Sequence, residues 1–141
     1  MTPEEFNYKI NQVIVHLMAI ANFAKDIHYN CKGEAFYSKH LLADRVQENI
    51  YNYIDGIKET VFLASDTKTL SSREYLMHAS GIIPDTTGID TEDFKELAKL
   101  ITKTLKLIQN LDSLSIGEEN LIGNIAENLQ NSIGLINRQI K

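Results

Sequence analysis

Residues 28–59 read HYNCKGEAFYSKHLLADRVQENIYNYIDGIKE, a helical pattern that contains two histidines and three carboxylates in key positions. Five side chains of metal-ligand type lie in it: His28, His40, Asp44, Asp55 and Glu59. At about 100° per residue, the last four fall within a sector of roughly 100° on one helix. A turn at Gly33 lets the first histidine fold back beside that face. Imidazole and carboxylate together predict an iron, manganese or zinc site, and a set without thiolate favours iron or manganese.

The axial positions of the carboxylates restrict how such a site is built. Asp44 and Asp55 are eleven residues apart, or roughly 16 Å along a helix at about 1.5 Å per residue, so a single ion cannot contact both. Two arrangements remain open. The residues form two unrelated pairs, His40 with Asp44 and Asp55 with Glu59, or two copies of the helix pack antiparallel about a twofold axis. A patch of His40, Asp44 and Glu48 within one chain is a further alternative.

The spacing His-x11-His-x3-Asp-x10-Asp-x3-Glu, with Lys32, Gly33 and Phe36 in the turn, resembles the signature of the Dps-type mini-ferritins of the ferritin-like superfamily. The resemblance implies a site shared between two subunits that binds ferrous iron, with manganese or zinc as other ions for the same ligands. Carried over by position, three ligands come from one subunit and two from its twofold mate: His28, His40 and Asp44, then Asp55 and Glu59. No catalytic residue beyond these metal ligands is implied.

The same resemblance implies an enzyme and an assembly. Mini-ferritins are ferroxidases that oxidise ferrous iron, typically with hydrogen peroxide, and store ferric iron in a hollow shell of twelve subunits, which protects against oxidative stress. We therefore expect a homo-oligomer, paired through its second helix, with metal ions and peroxide as its small partners. The alternative is a non-enzymatic ferritin-like assembly or interaction module with a vestigial metal site.

Composition and charge narrow the class of protein. The chain has 141 residues and 43% hydrophobic content, which predicts one domain over 1–141. A net charge of −5 argues against constitutive nucleic-acid binding, because phosphate contacts need clustered Lys and Arg. Many Dps proteins bind DNA through a Lys-rich N-terminal tail, and the first helix leaves no room for one, so we do not expect DNA binding. No membrane span or leader is expected, and the single Cys31 fits a reducing cytoplasm.

Apolar spacing and capping signals predict four helices. Their expected bounds are about 3–30, 35–65, 91–112 and 116–139. Thr2-Pro3-Glu4-Glu5 and Ser115-Ile116-Gly117-Glu118 predict capping boxes at the first and fourth helices, and Asp90 is expected to cap the third.

The predicted connections determine the topology. Those after the first and third helices are short, whereas about 25 residues join the second to the third, with room for one short helix within 72–79. One long crossover between two antiparallel hairpins is the ferritin-like arrangement. No Glu-x-x-His motif occurs, which disfavours the di-iron site of larger ferritins. We therefore predict an all-α, ferritin-like four-helix bundle with one long crossover.

Overall fold

All regular secondary structure in the chain is helical, as a computed structural model that describes all 141 residues shows. The segments in chain order are α1 Pro3–Asn30, α2 Phe36–Gln47, α3 Ile50–Ile57, a π-helix Lys58–Leu63, α4 Ser72–Ser80, α5 Asp90–Gln109 and α6 Ile116–Gln139. None of these helices combines the length and the apolar character that crossing a bilayer requires. The predicted all-α helical bundle is confirmed.

Helix α1 is the central element, because it contacts α2, α3, α4 and α5. It begins as the sequence predicts: the Thr2 hydroxyl accepts the Glu5 N–H at 3.1 Å, and Pro3 occupies the first turn. The return contact from the Glu5 carboxylate is absent, so this predicted capping box is only half formed. From Ile10 to Ile27 most side chains are buried, which leaves the ends of α1 to meet solvent.

The predicted second helix, 35–65, is wrong as a continuous element. The α-helix stops after Gln47, resumes at Ile50 and changes to a π-helix at Lys58. Asn49 has φ −106° and ψ 3°, away from helical values, and asparagine is a poor helix former. The common face computed for the four ligand-type residues assumed an unbroken α-helix. They instead occupy three consecutive segments.

The crossover at residues 64–89 contains the short helix that the sequence allows. A complete capping box at Ser71 and Glu74 starts α4. Tyr75 anchors it, since the buried hydroxyl donates to Asn11 Oδ1 on α1 at 2.6 Å and the Lys58 ammonium lies 4.6 Å from the ring centroid. The two remaining connections are short, at 31–35 and 110–115, so the predicted topology is confirmed.

The starts of the last two helices differ in their capping. At α6 the predicted box is complete: Ser115 Oγ accepts the Glu118 N–H at 3.2 Å and Glu118 Oε1 accepts the Ser115 N–H at 2.8 Å. At α5 the predicted Asp90 cap is wrong, because the cap position is Ile89 and the Asp90 carboxylate bonds the α1–α2 turn instead.

Candidate metal centre

The structure brings His28 and His40 face to face. His28 lies in the last turn of α1 and His40 in the second turn of α2, on either side of the short turn at 31–35. Their ring centroids are 3.7 Å apart and the ring planes differ by 17°, so the two imidazoles stack. Both residues are half-buried, which leaves part of each ring open to solvent.

The two histidines hold each other through reciprocal hydrogen bonds. His28 Nδ1 lies 2.8 Å from the His40 carbonyl oxygen, and His40 Nδ1 lies 2.7 Å from the His28 carbonyl oxygen. A carbonyl oxygen only accepts, so both Nδ1 atoms carry the hydrogen. The Nε2 atom of each ring makes no hydrogen bond, and in the neutral imidazole it carries the lone pair. Metal-binding histidines commonly have this arrangement, with the second ring nitrogen donating to a carbonyl.

Aromatic neighbours further restrict the two rings. Tyr29 meets His28 edge-on at a centroid distance of 5.0 Å, and Phe36 stacks against His40 at 5.2 Å. Tyr29 is otherwise exposed, with 71% of its surface accessible. The histidine pair is therefore ordered by side-chain contacts as well as by backbone hydrogen bonds.

A partly buried ion pair secures the turn between the histidines. Lys39 Nζ donates to Asp90 Oδ2 at 2.6 Å and to the Lys32 carbonyl at 2.9 Å, and the same Asp90 oxygen accepts the Lys32 N–H at 3.1 Å. Both paired side chains are only 14% exposed. The contact joins the α1–α2 turn to the start of α5. Sequence reasoning missed it, because no local pattern links Lys39 to a residue in α5.

Cys31 lies in the same turn and is buried, which fits a small side chain that fills space. Burial raises the pKa of its thiol, and the negative charge of Asp90 raises it further. A thiol in that state is a poor nucleophile and a poor metal ligand. The exclusion of Cys31 from the predicted ligand set agrees with this setting.

The carboxylates are distributed around the histidine pair. Asp44 lies one helical turn after His40, is half-buried, and its Oδ1 accepts a hydrogen bond from Gln47 Nε2 at 2.9 Å. Asp55 on α3 and Glu59 on the π-helix are exposed. π-Helical turns occur frequently at functional sites. The Gln47 contact had no sequence signal beyond its spacing of three residues from Asp44.

A single chain does not assemble a complete metal site. No group of three or more His, Cys, Asp or Glu side chains is arranged to hold an ion. The intrachain patch of His40, Asp44 and Glu48 is therefore wrong. The arrangement in which two chains share the ligands stays a prediction, since it needs the partner subunit.

The remaining histidines have other environments. His16 is buried in α1, where its Nδ1 donates to the Gln12 carbonyl at 2.8 Å and its Nε2 has no partner. Burial lowers the pKa of His16, and the positive charge of Lys103 contributes to the lowering. His78 is exposed on α4. His16 is thus a residue of the core and His78 a residue of the surface.

Comparison with known proteins establishes the fold. No family model and no curated protein matches the chain. Among solved structures, it is similar to the DPS protein from Vibrio cholerae O1, described as a member of a broad superfamily of ferritin-like diiron-carboxylate proteins. The TM-score is 0.66 at 16% sequence identity, over 98% of this chain and 90% of that chain. The chain therefore has a ferritin-like fold.

Proposed function

We propose that the protein is a cytoplasmic, Dps-like ferroxidase. It oxidises ferrous iron at a site between two subunits, with hydrogen peroxide as oxidant, and keeps the ferric product in a hollow shell of its own copies. The observation that carries this proposal is the reciprocal hydrogen bonding of His28 and His40, which leaves two imidazole lone pairs free. The ferritin-like fold and its diiron-carboxylate neighbour support iron as the substrate.

The residues of this chain have separable roles in that reaction. His28 and His40 bind the ferrous ion through Nε2, because their Nδ1 atoms are occupied by carbonyl oxygens. Asp44, oriented by Gln47, supplies an oxygen ligand from the same chain. Asp55 and Glu59 are exposed, which leaves them available to a twofold partner. Carboxylate oxygen ligands stabilise ferric iron more than ferrous iron, so they promote the loss of an electron from the bound ferrous ion.

The stoichiometry requires two ferrous ions for each peroxide. Each ion loses one electron, and the peroxide accepts both electrons with two protons to become two water molecules. Two carboxylates from a second subunit provide the additional negative charge that a pair of divalent ions needs. The shared arrangement therefore suits the chemistry better than the ligands of one chain alone, which do not form a group of three.

The proposal is tested by removing the lone pairs while keeping the stacked rings. His28→Phe and His40→Phe retain an aromatic face, and His78→Phe is the matched control on the exposed surface of α4. The protein is given ferrous iron without oxygen, peroxide is added, and ferric absorbance is followed with time. We expect each site variant to slow oxidation at least about 10-fold, the range seen when support for a metal ligand is lost.

Two outcomes would contradict the assignment. If His28→Phe, His40→Phe and the control oxidise iron at the same rate, the pair is not the site. If the wild-type protein is a well-folded oligomer that neither binds iron stoichiometrically nor consumes peroxide, the alternative of a non-enzymatic assembly module replaces the ferroxidase. Storage is tested separately: size-exclusion chromatography of the iron-loaded wild-type protein shows whether ferric iron and protein elute together as a shell.

A further inference from the structure

A groove between α5 and α6 concentrates positive charge on one face of the bundle. It has a volume of about 580 Å³. Its six polar lining residues are Lys95, Lys99, Thr102, Lys103, Lys106 and Asn137. The four lysines follow one another at intervals of four, four and three residues, so they form a row along one side of α5. None of them belongs to the candidate metal centre.

The positive charge of this row is almost uncompensated within the chain. Lys95 has one partner, Glu92, at 3.7 Å, and both side chains are more than half exposed. No carboxylate lies within 4.0 Å of the ammonium groups of Lys99, Lys103 or Lys106, and no acidic residue lines the groove. Like charges one turn apart destabilise a helix. The chain as a whole has a net charge of −5, so a row of mutually repelling lysines departs from its overall charge. Such a departure is expected where a bound anion supplies the counter-charge.

The positive charge of Lys103 also acts on the interior of the bundle. His16 on α1 is buried, and the charge of Lys103 is one of the causes that lower its pKa. Because no carboxylate lies within 4.0 Å of Lys99, Lys103 or Lys106, the groove presents positive charge to solvent along roughly 16 Å of helix at about 1.5 Å per residue.

The groove lining identifies the chemistry of the anion. Lysine ammonium groups act as point charges that bind phosphate without demanding a fixed geometry. No aromatic side chain and no arginine lines the groove, and its apolar residues are Ala98 and Ile133. Bases therefore have no stacking platform and no guanidinium to read their edges. A narrow row of lysines suits a chain of phosphates that carries no bases.

We propose that the α5–α6 groove binds inorganic polyphosphate along its lysine row. The four ammonium groups neutralise successive segments of the chain. The Asn137 side-chain amide adds hydrogen-bond donors beside it, whereas the Thr102 hydroxyl donates to the Ala98 carbonyl. This site is independent of the proposed ferroxidase chemistry, so either can fail without the other.

The test uses the full-length protein and a fluorescently labelled inorganic polyphosphate, with binding followed by anisotropy across a salt series. The site variant is Lys99→Gln with Lys103→Gln. The matched control is Lys25→Gln with Lys68→Gln, which also removes two positive charges, but from exposed positions outside the groove. With a slope of about −0.7 per phosphate contact, four contacts predict a roughly 50-fold loss of affinity between about 50 and 200 mM salt, and two contacts predict about 7-fold.

We expect wild type and control to show the steep salt dependence and the site variant to show the shallow one, with weaker binding at every salt concentration. Equal behaviour of the site variant and its matched control would overturn the proposal, because net charge alone would then explain binding. Tighter binding of a single-stranded DNA oligonucleotide than of polyphosphate, with the same dependence on Lys99 and Lys103, would also overturn it in favour of a nucleic-acid site. Circular dichroism confirms that each variant is folded.

Discussion

Replacing Asp90 by Asn should destabilise the protein by about 1.5 kcal/mol more than replacing Glu92 by Gln. The two carboxylates lie in the first turn of α5, and each pairs with a lysine. They differ in burial, since the Asp90 and Lys39 side chains are 14% exposed whereas those of Glu92 and Lys95 are 56% and 59% exposed. The comparison therefore sets a partly buried ion pair, which also accepts a backbone hydrogen bond, against an exposed pair.

The magnitude follows from the contacts of the Asp90 oxygen. It accepts from Lys39 Nζ at 2.6 Å and from the Lys32 N–H at 3.1 Å. Hydrogen bonds to charged groups contribute about 1.5–3 kcal/mol and neutral ones about 1, so changing the carboxylate to an amide loses about 1 kcal/mol at each bond. An exposed pair contributes about 0.2–1 kcal/mol. Loss of favourable charge at the helix start is the same in both variants and cancels.

Urea unfolding followed by circular dichroism measures the difference. Protein concentration is held constant, because self-association would make stability depend on it. With a denaturant slope of about 2 kcal/mol/M, the midpoints of Asp90→Asn and Glu92→Gln should differ by about 0.7 M urea. Midpoints that coincide would refute the reasoning, since the Lys39–Asp90 contact would then contribute no more than a surface pair.

Three further predictions address pH dependence, a helix cap and the metal ligands. Burial holds the pKa of His16 below 6.5, so the unfolded chain binds more protons than the folded chain just below that pH. The free energy of unfolding should therefore decrease as the pH is lowered, by up to about 1.4 kcal/mol per pH unit. His16→Leu should remove this loss in a pH series of urea midpoints, and parallel profiles of the two proteins would contradict the prediction. Ser115→Ala should cost about 1 kcal/mol, because the Glu118 N–H loses its acceptor, and thermal melting checks this; an unchanged melting temperature would show that the cap is dispensable. Gln47→Leu should weaken ferrous-iron binding about 10-fold at unchanged stability, while Gln130→Leu on exposed α6 should not; equal titrations would remove Gln47 from the site.

Local signals predicted the ends of the long helices well. Helices α1 and α6 have the expected bounds, because a serine or threonine cap and its first-turn partner lie within three residues of each other. The break between α2 and α3 was not predicted, because the apolar spacing of Val46, Ile50 and Ile54 continues through it. The spacing of apolar residues indicates which face of a helix is buried. A local distortion of the backbone leaves that spacing unchanged, so the sequence pattern does not reveal it.

The candidate site likewise combines features that the sequence predicted with features that it did not. A short turn joins the helices of His28 and His40, so their proximity could be inferred from chain order. Their reciprocal bonds to backbone carbonyls depend on how closely α1 and α2 approach, which side-chain spacing does not encode. The break at residues 48–49 and the π-helix from Lys58 remove the unbroken α-helix on which the predicted common face of His40, Asp55 and Glu59 rested.

The sequence by itself determined the helical class, the threonine and serine caps of α1 and α6, the long crossover and the set of ligand-type residues, because each depends on neighbours within a few turns of the chain. Only the tertiary structure decided that Lys39 pairs with Asp90, that the histidine rings stack, and that the α5 lysine row lies in a groove against α6. These features join residues on different helices. Their energies come from burial and Coulomb interactions that arise only when the helices pack together.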